Sequence, residues 1–120
     1  MDFTRATVAL TRSPDDNLAL RARLEALGAS VVEVPTALLR DIDADRATLV
    51  AQVAASRAIA FTSRHGVASF LRCAGAGPLI AALARGAVVA VVGPSTADEL
   101  AAAGVAVSMA VAEPATGAHL

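Results

Sequence analysis

The side chains best placed for chemistry are hydroxyls at two strand-to-helix turns. Residues 59–71 (IAFTSRHGVASFL) carry Thr62 and Ser63, and residues 88–104 (VVAVVGPSTADELAAAG) carry Gly93, Pro94, Ser95 and Thr96. The first turn of a helix presents N–H groups without intrahelical acceptors, together with a partial positive charge. Hydroxyls at that position add further donors. Two such turns side by side are therefore expected to cradle anionic groups such as carboxylates. A third strand-end turn carries Thr11 and Arg12, and a guanidinium fork matches carboxylate geometry.

Each of these features also has a plain structural role. Ser95 with Asp98, and Thr96 with Glu99, fit capping-box spacing at the start of a helix, and either Thr62 or Ser63 can cap the earlier one. His65 has no visible nucleophile beside it and reads as a residue of the first helical turn. Cys73, next in line to Phe70 on its helix, reads as packing. The Gly75-Ala76-Gly77 stretch follows a helix rather than a strand, which removes it as a dinucleotide fingerprint. The carboxylates are scattered, and no His or Cys stands at ligand spacing, so no metal site is expected. Lysine is absent, which excludes lysine chemistry and a phosphorelay receiver.

The elements that must position these turns follow from periodicity. Residues 7–11 (TVALT) read as a buried strand and Asp15 or Asp16 as the cap of the next helix. Leu20, Leu24 and Leu27 form an apolar stripe on that helix, and Gly28 ends it. Residues 30–34 (SVVEV) give a second strand, stopped by Pro35. Asp45 can cap a helix with Leu49, Val50 and Val53 inward. A strand over 59–61 precedes a helix carrying Val67, Phe70 and Leu71 on one face. Pro78 opens a short helix with Leu79, Ile80 and Leu83. Residues 88–92 are apolar throughout, as in a central parallel strand covered on both faces. A helix over about 96–103 ends at Gly104, and a strand over 105–111 is closed by Pro114.

Strand, helix and strand in alternation specify an α/β fold, with a parallel sheet flanked by helices. The expected organisation is a β-α-β unit over residues 1–35, a linker over 36–44 and a second α/β domain over 45–120. At 120 residues the chain supports one core and little more. A net charge of −1 without a basic cluster argues against nucleic acid or an anionic membrane as partner. One cysteine cannot form an internal disulfide, and the N-terminus lacks signal-peptide character, so the expected compartment is the cytoplasm.

Taken in order, these segments resemble uroporphyrinogen-III synthase. The resemblance runs through VALTR (8–12), LEALGASVVEVP (24–35), AFTSRHGVASFL (60–71) and VVAVVGPSTADELAAAGV (88–105). It implies a cofactor-free lyase of tetrapyrrole and heme biosynthesis, which cyclises hydroxymethylbilane with inversion of ring D and loss of water. It implies two α/β domains, here one partial β-α-β unit and most of a second, flavodoxin-like domain, with substrate held in the cleft between them. Thr62, Ser63 and Thr96 fall on family positions in that cleft. The many substrate carboxylates suit N–H groups and hydroxyls at helix starts, and the enzyme's work is to fold a flexible chain for ring closure.

The departures carry their own expectations. The chain spans about the first half of the family's usual length, so the resemblance implies a truncated form, weakly active or inactive alone. The family's proposed acid is a tyrosine from the other half, and this chain has no tyrosine, so no catalytic residue is assigned. Asn is common where His65 stands, and Ala where Ser95 stands. The alternatives are a non-catalytic binding or assembly module, self-associating or paired with a partner that completes it, and a small-anion-binding α/β protein sharing only this local grammar.

Overall fold

A computed structural model describes residues 2–111. The chain divides into two compact units, residues 1–42 and 43–120, each built on its own parallel sheet.

In the first unit, β1 (Thr7–Leu10) pairs in parallel with β2 (Ser30–Glu33), joined through α1 (Pro14–Ala26). The helix starts one residue before the acidic pair expected to cap it. Ser13 takes the N-cap position, Pro14 supplies a first-turn residue with φ already set, and Asp15 and Asp16 fall inside the first turn. The Ser13 hydroxyl donates to Asp16 Oδ2 at 2.9 Å instead of accepting a backbone N–H. The end of the helix is as expected. Gly28 adopts φ +90°, and a Cβ there would meet Thr4 Oγ1 at 2.9 Å, so the position excludes larger residues twice over.

The expected leucine stripe is not the buried face of α1. Leu20 is 47% exposed, Leu27 is exposed as well, and Leu24 is half-buried. Asn17, at 1% exposure, is the buried residue of this helix. A single helix over two short strands has little apolar surface beneath it. It turns toward the sheet a side chain that can satisfy polar groups there.

The second unit holds the hydrophobic core. Its sheet has the order β3 (Ala58–Phe61), β4 (Val88–Val92), β5 (Met109–Val111), all parallel, with β4 central. Val89 to Val92 are buried, as their unbroken apolar run predicts. Around this strand pack Val53 of α2 (Arg46–Ala55), Val67 and Phe70 of α3 (Arg64–Ala74), Leu79 of α4 (Gly77–Ala84) and Leu100 of α5 (Pro94–Ala102). Phe61 and Phe70 meet edge to face, with centroids 5.6 Å apart. Ile80, expected inward, points out, because α4 buries only the Leu79 and Ala82 side of its short length.

Both ends of α2 are tied down. Asp45 accepts the N–H groups of Ala47 and Thr48 at 3.2 Å each, so it caps the helix as anticipated. Arg85 Nη2 donates to the carbonyls of Val53 (3.3 Å) and Ala54 (2.8 Å), placing a cation on the negative end. The last strand begins later than expected, at Met109. Ser108 takes over its first pairing with β4, donating its N–H to the Val89 carbonyl at 2.8 Å and accepting the Val89 N–H on Oγ at 3.0 Å. Pro114, expected to close this strand, lies outside the described residues. Among the described residues no single helix is long and apolar enough to cross a membrane.

Candidate functional site

The two hydroxyl-bearing turns are neighbours. Because β3 and β4 are paired in parallel, with Phe61 opposite Val91, Thr62–Ser63 and Gly93–Thr96 leave the same edge of the sheet at its carboxyl end. The helices they start, α3 and α5, pack against each other. Ligands of open α/β sheets gather at such an edge, where helix starts converge.

The two helix starts differ in chemistry. At α3, Ser63 is the N-cap, and its Oγ accepts the Gly66 N–H at 3.1 Å. Ser63 keeps its O–H as a donor. Thr62, one residue earlier, is exposed.

At α5 the expected capping box does not form. Pro94 starts the helix two residues earlier than the hydroxyls suggested, and Gly93, not Ser95 or Thr96, is the N-cap. Gly93 adopts φ 83° and ψ 150°, a conformation essentially reserved for glycine. Its N–H is spent on the Val111 carbonyl at 3.1 Å, which locks the turn to β5. Pro94 has no N–H, and the Ala97 N–H reaches the Gly93 carbonyl at 3.3 Å. The first-turn donors left over are those of Ser95 and Thr96, and no side chain caps them.

Ser95 is exposed, whereas Thr96 is only 2% exposed. Among the described residues Thr96 makes no side-chain hydrogen bond. No acidic residue lies in the first turn of either α3 or α5. The arrangement offers N–H and O–H donors with a favourable helix field, and suits recognition of carboxylates.

The third predicted turn belongs to the first unit and works differently. Asp15 and Asp16 already occupy the first turn of α1, so anion recognition there depends on the Arg12 side chain. That side chain is 70% exposed, with Nη2 4.0 Å from Asp16 Oδ2. The Thr11 carbonyl accepts the Thr36 N–H at 2.9 Å and the Thr36 hydroxyl at 3.2 Å.

Other features fall outside the candidate site. A shallow concavity of about 310 Å³ lies at the opposite, amino-terminal ends of β3 and β4, where Arg57 and Arg85 line it. Cys73 is half-buried, with Sγ 3.7 Å from the Ala44 carbonyl. Among the described residues no group of three His, Cys, Asp or Glu side chains could hold a metal ion. Asn17 and Ser108, which both fix backbone at strand ends, went unnoticed in the sequence. Asn17 bonds the Arg12 carbonyl five residues back and the Glu33 side chain 16 residues on, and the Ser108 partner Val89 lies 19 residues away, spacings that no local motif announces.

Parallel sheets flanked by helices define an α/β protein, and in the second unit two helix starts gather at the carboxyl edge of the sheet. The chain belongs to the uroporphyrinogen-III synthase family: the family described as uroporphyrinogen-III synthase HemD matches residues 19–120. The match spans both candidate turns of the second unit and begins after Thr11 and Arg12. No curated protein and no solved structure matches the chain.

Proposed function

We propose that this chain acts in uroporphyrinogen-III synthesis: hydroxymethylbilane is held through its carboxylates and closed into the macrocycle, with ring D inverted and a hydroxyl lost as water. The observation that supports this reading most is the family match over residues 19–120, which includes the uncapped start of α5. In this account the Ser95 and Thr96 N–H groups and hydroxyls, presented by Gly93 and Pro94, take one substrate carboxylate. Thr62 and Ser63 take another. Thr11 and Arg12 form a separate carboxylate-recognising turn. No side chain is assigned as acid or base. The work is positional, restricting a flexible linear substrate so that closure of the inverted ring outruns spontaneous closure. The protein is a cofactor-free lyase of the cytoplasm.

The test is a coupled assay that supplies hydroxymethylbilane and resolves product isomers. Isomer III rising with protein concentration supports the reading. Isomer I alone at every concentration overturns catalysis by this chain.

A second reading, an assembly module, is favoured by one observation. The first unit exposes Leu18 and Leu20 on α1 and Val32 on the sheet face away from that helix, apolar side chains available to a partner. Light scattering after size exclusion separates the readings: a monomer at all concentrations counts against self-association.

A further inference from the structure

The buried polar residue of α1 has a role that its helix does not explain. Asn17 sits at 1% exposure and uses its amide Nδ2 twice, donating to the Arg12 carbonyl at 3.0 Å and to Glu33 Oε2 on β2 at 2.8 Å. One bond reaches the turn after β1, and the other anchors the same amide to the neighbouring strand. Glu33 is held from its other oxygen by Arg21, with Nη1 3.8 Å from Oε1. Thr36, just past β2, grips the adjacent Thr11 carbonyl with both N–H and hydroxyl. Ser13, next in the turn, gives its carbonyl to the N–H groups of Asp16 and Asn17.

Three successive carbonyls, of Thr11, Arg12 and Ser13, are therefore all fixed, two of them from elements beyond β1. The side chain in the middle of this fixed turn is the exposed guanidinium of Arg12. A buried amide costs free energy unless both its hydrogens are used, so a leucine would be the simpler choice for burial. The amide gives something a leucine cannot, a backbone of set direction beneath Arg12.

We propose that Asn17 is a positioning residue for Arg12, with Glu33 and Thr36 as its supports, and that the fixed turn presents the guanidinium to a carboxylate of the ligand. This rests on the proposed tetrapyrrole reading. Arg12 lies before the family match, so the inference is carried by these hydrogen bonds alone.

The test is a double-mutant cycle on binding of uroporphyrin III, an octacarboxylate tetrapyrrole followed by its fluorescence. Arg12→Ala is expected to weaken binding about ten-fold, and Asn17→Ala about five-fold in the native background but less than about two-fold in Arg12→Ala. A purely structural Asn17 would cost the same in both backgrounds, and that result overturns the proposal. Should Asn17→Ala reduce the folded fraction, Thr36→Val runs the same cycle at an exposed position and keeps the backbone bond to Thr11. A loss confined to the Arg12 background supports the proposal; equal losses overturn it. If Thr96→Val weakens binding while Arg12→Ala does not, this inference fails alone. If neither does, the tetrapyrrole reading fails with it.

Discussion

Phe61 stands opposite Val91 in the parallel register of β3 and β4, and that pairing brings two differently finished helix starts to one edge. β3 ends at Phe61 and hands over to Ser63, whose own hydroxyl closes α3. β4 runs on through Val92 to Gly93, whose conformation opens α5 with no side-chain cap. One start is satisfied from within. The other carries no side-chain cap.

Removing the two serine hydroxyls should separate these roles. Ser63→Ala loses a formed cap and should cost about 0.5–2 kcal/mol in urea unfolding. Ser95→Ala breaks no capping bond and should change stability by less than about 0.5 kcal/mol, while weakening tetrapyrrole binding.

Thr96→Val keeps the branched shape and deletes a nearly buried hydroxyl that makes no side-chain hydrogen bond among the described residues. Stability should change by less than about 1 kcal/mol, because the shape is kept and no buried side-chain hydrogen bond is lost. Uroporphyrin binding should fall about ten-fold, since one donor to the carboxylate is gone. Chemical denaturation and a fluorescence titration on the same preparation check both halves.

Gly93→Ala should cost about 1–3 kcal/mol, because its φ of 83° with ψ of 150° is strained for any side chain. The variant should also loosen the Gly93–Val111 bond, so amide exchange at residue 93 should speed up more than at Val89 or Val91.

The Asp45 cap predicts a pH dependence. Hydrogen bonds from the Thr48 hydroxyl, then from the Thr48 and Ala47 N–H groups, hold its carboxyl below the ordinary value of 3.8. A depressed folded-state pKa adds stability that is fully present above 3.8 and is lost as pH falls through the lower folded value. Asp45→Asn keeps a good cap without a titrating group. Below about pH 4 the urea midpoint of the native chain should therefore fall more steeply than that of Asp45→Asn. Parallel slopes would remove the carboxylate from the account.

Much of the fold was legible because local signals and tertiary packing agree. The apolar run at 88–92 is the central strand, Asp45 caps α2, and Val67 and Phe70 share the buried face of α3. The misreadings arose where a distant partner or a special backbone decided the outcome. Ser95 and Thr96 fit capping-box spacing, yet Gly93 and Pro94 start α5 before them. The leucines of α1 look like a core stripe, yet Asn17 is buried because Glu33 and the Arg12 carbonyl wait beneath it. The strand expected from 105 begins only at Met109, after Ser108 has paired with Val89 through its side chain.

The most direct test of the central claim is an amide NMR titration of the chain with uroporphyrin III. The account predicts saturable shifts largest at the Ser95 and Thr96 N–H groups, with Thr62 and Ser63 following, and a midpoint about ten-fold higher in Thr96→Val. Shifts confined to the far end of the sheet around Arg57 and Arg85, or none at Ser95 and Thr96 at saturating ligand, would contradict it.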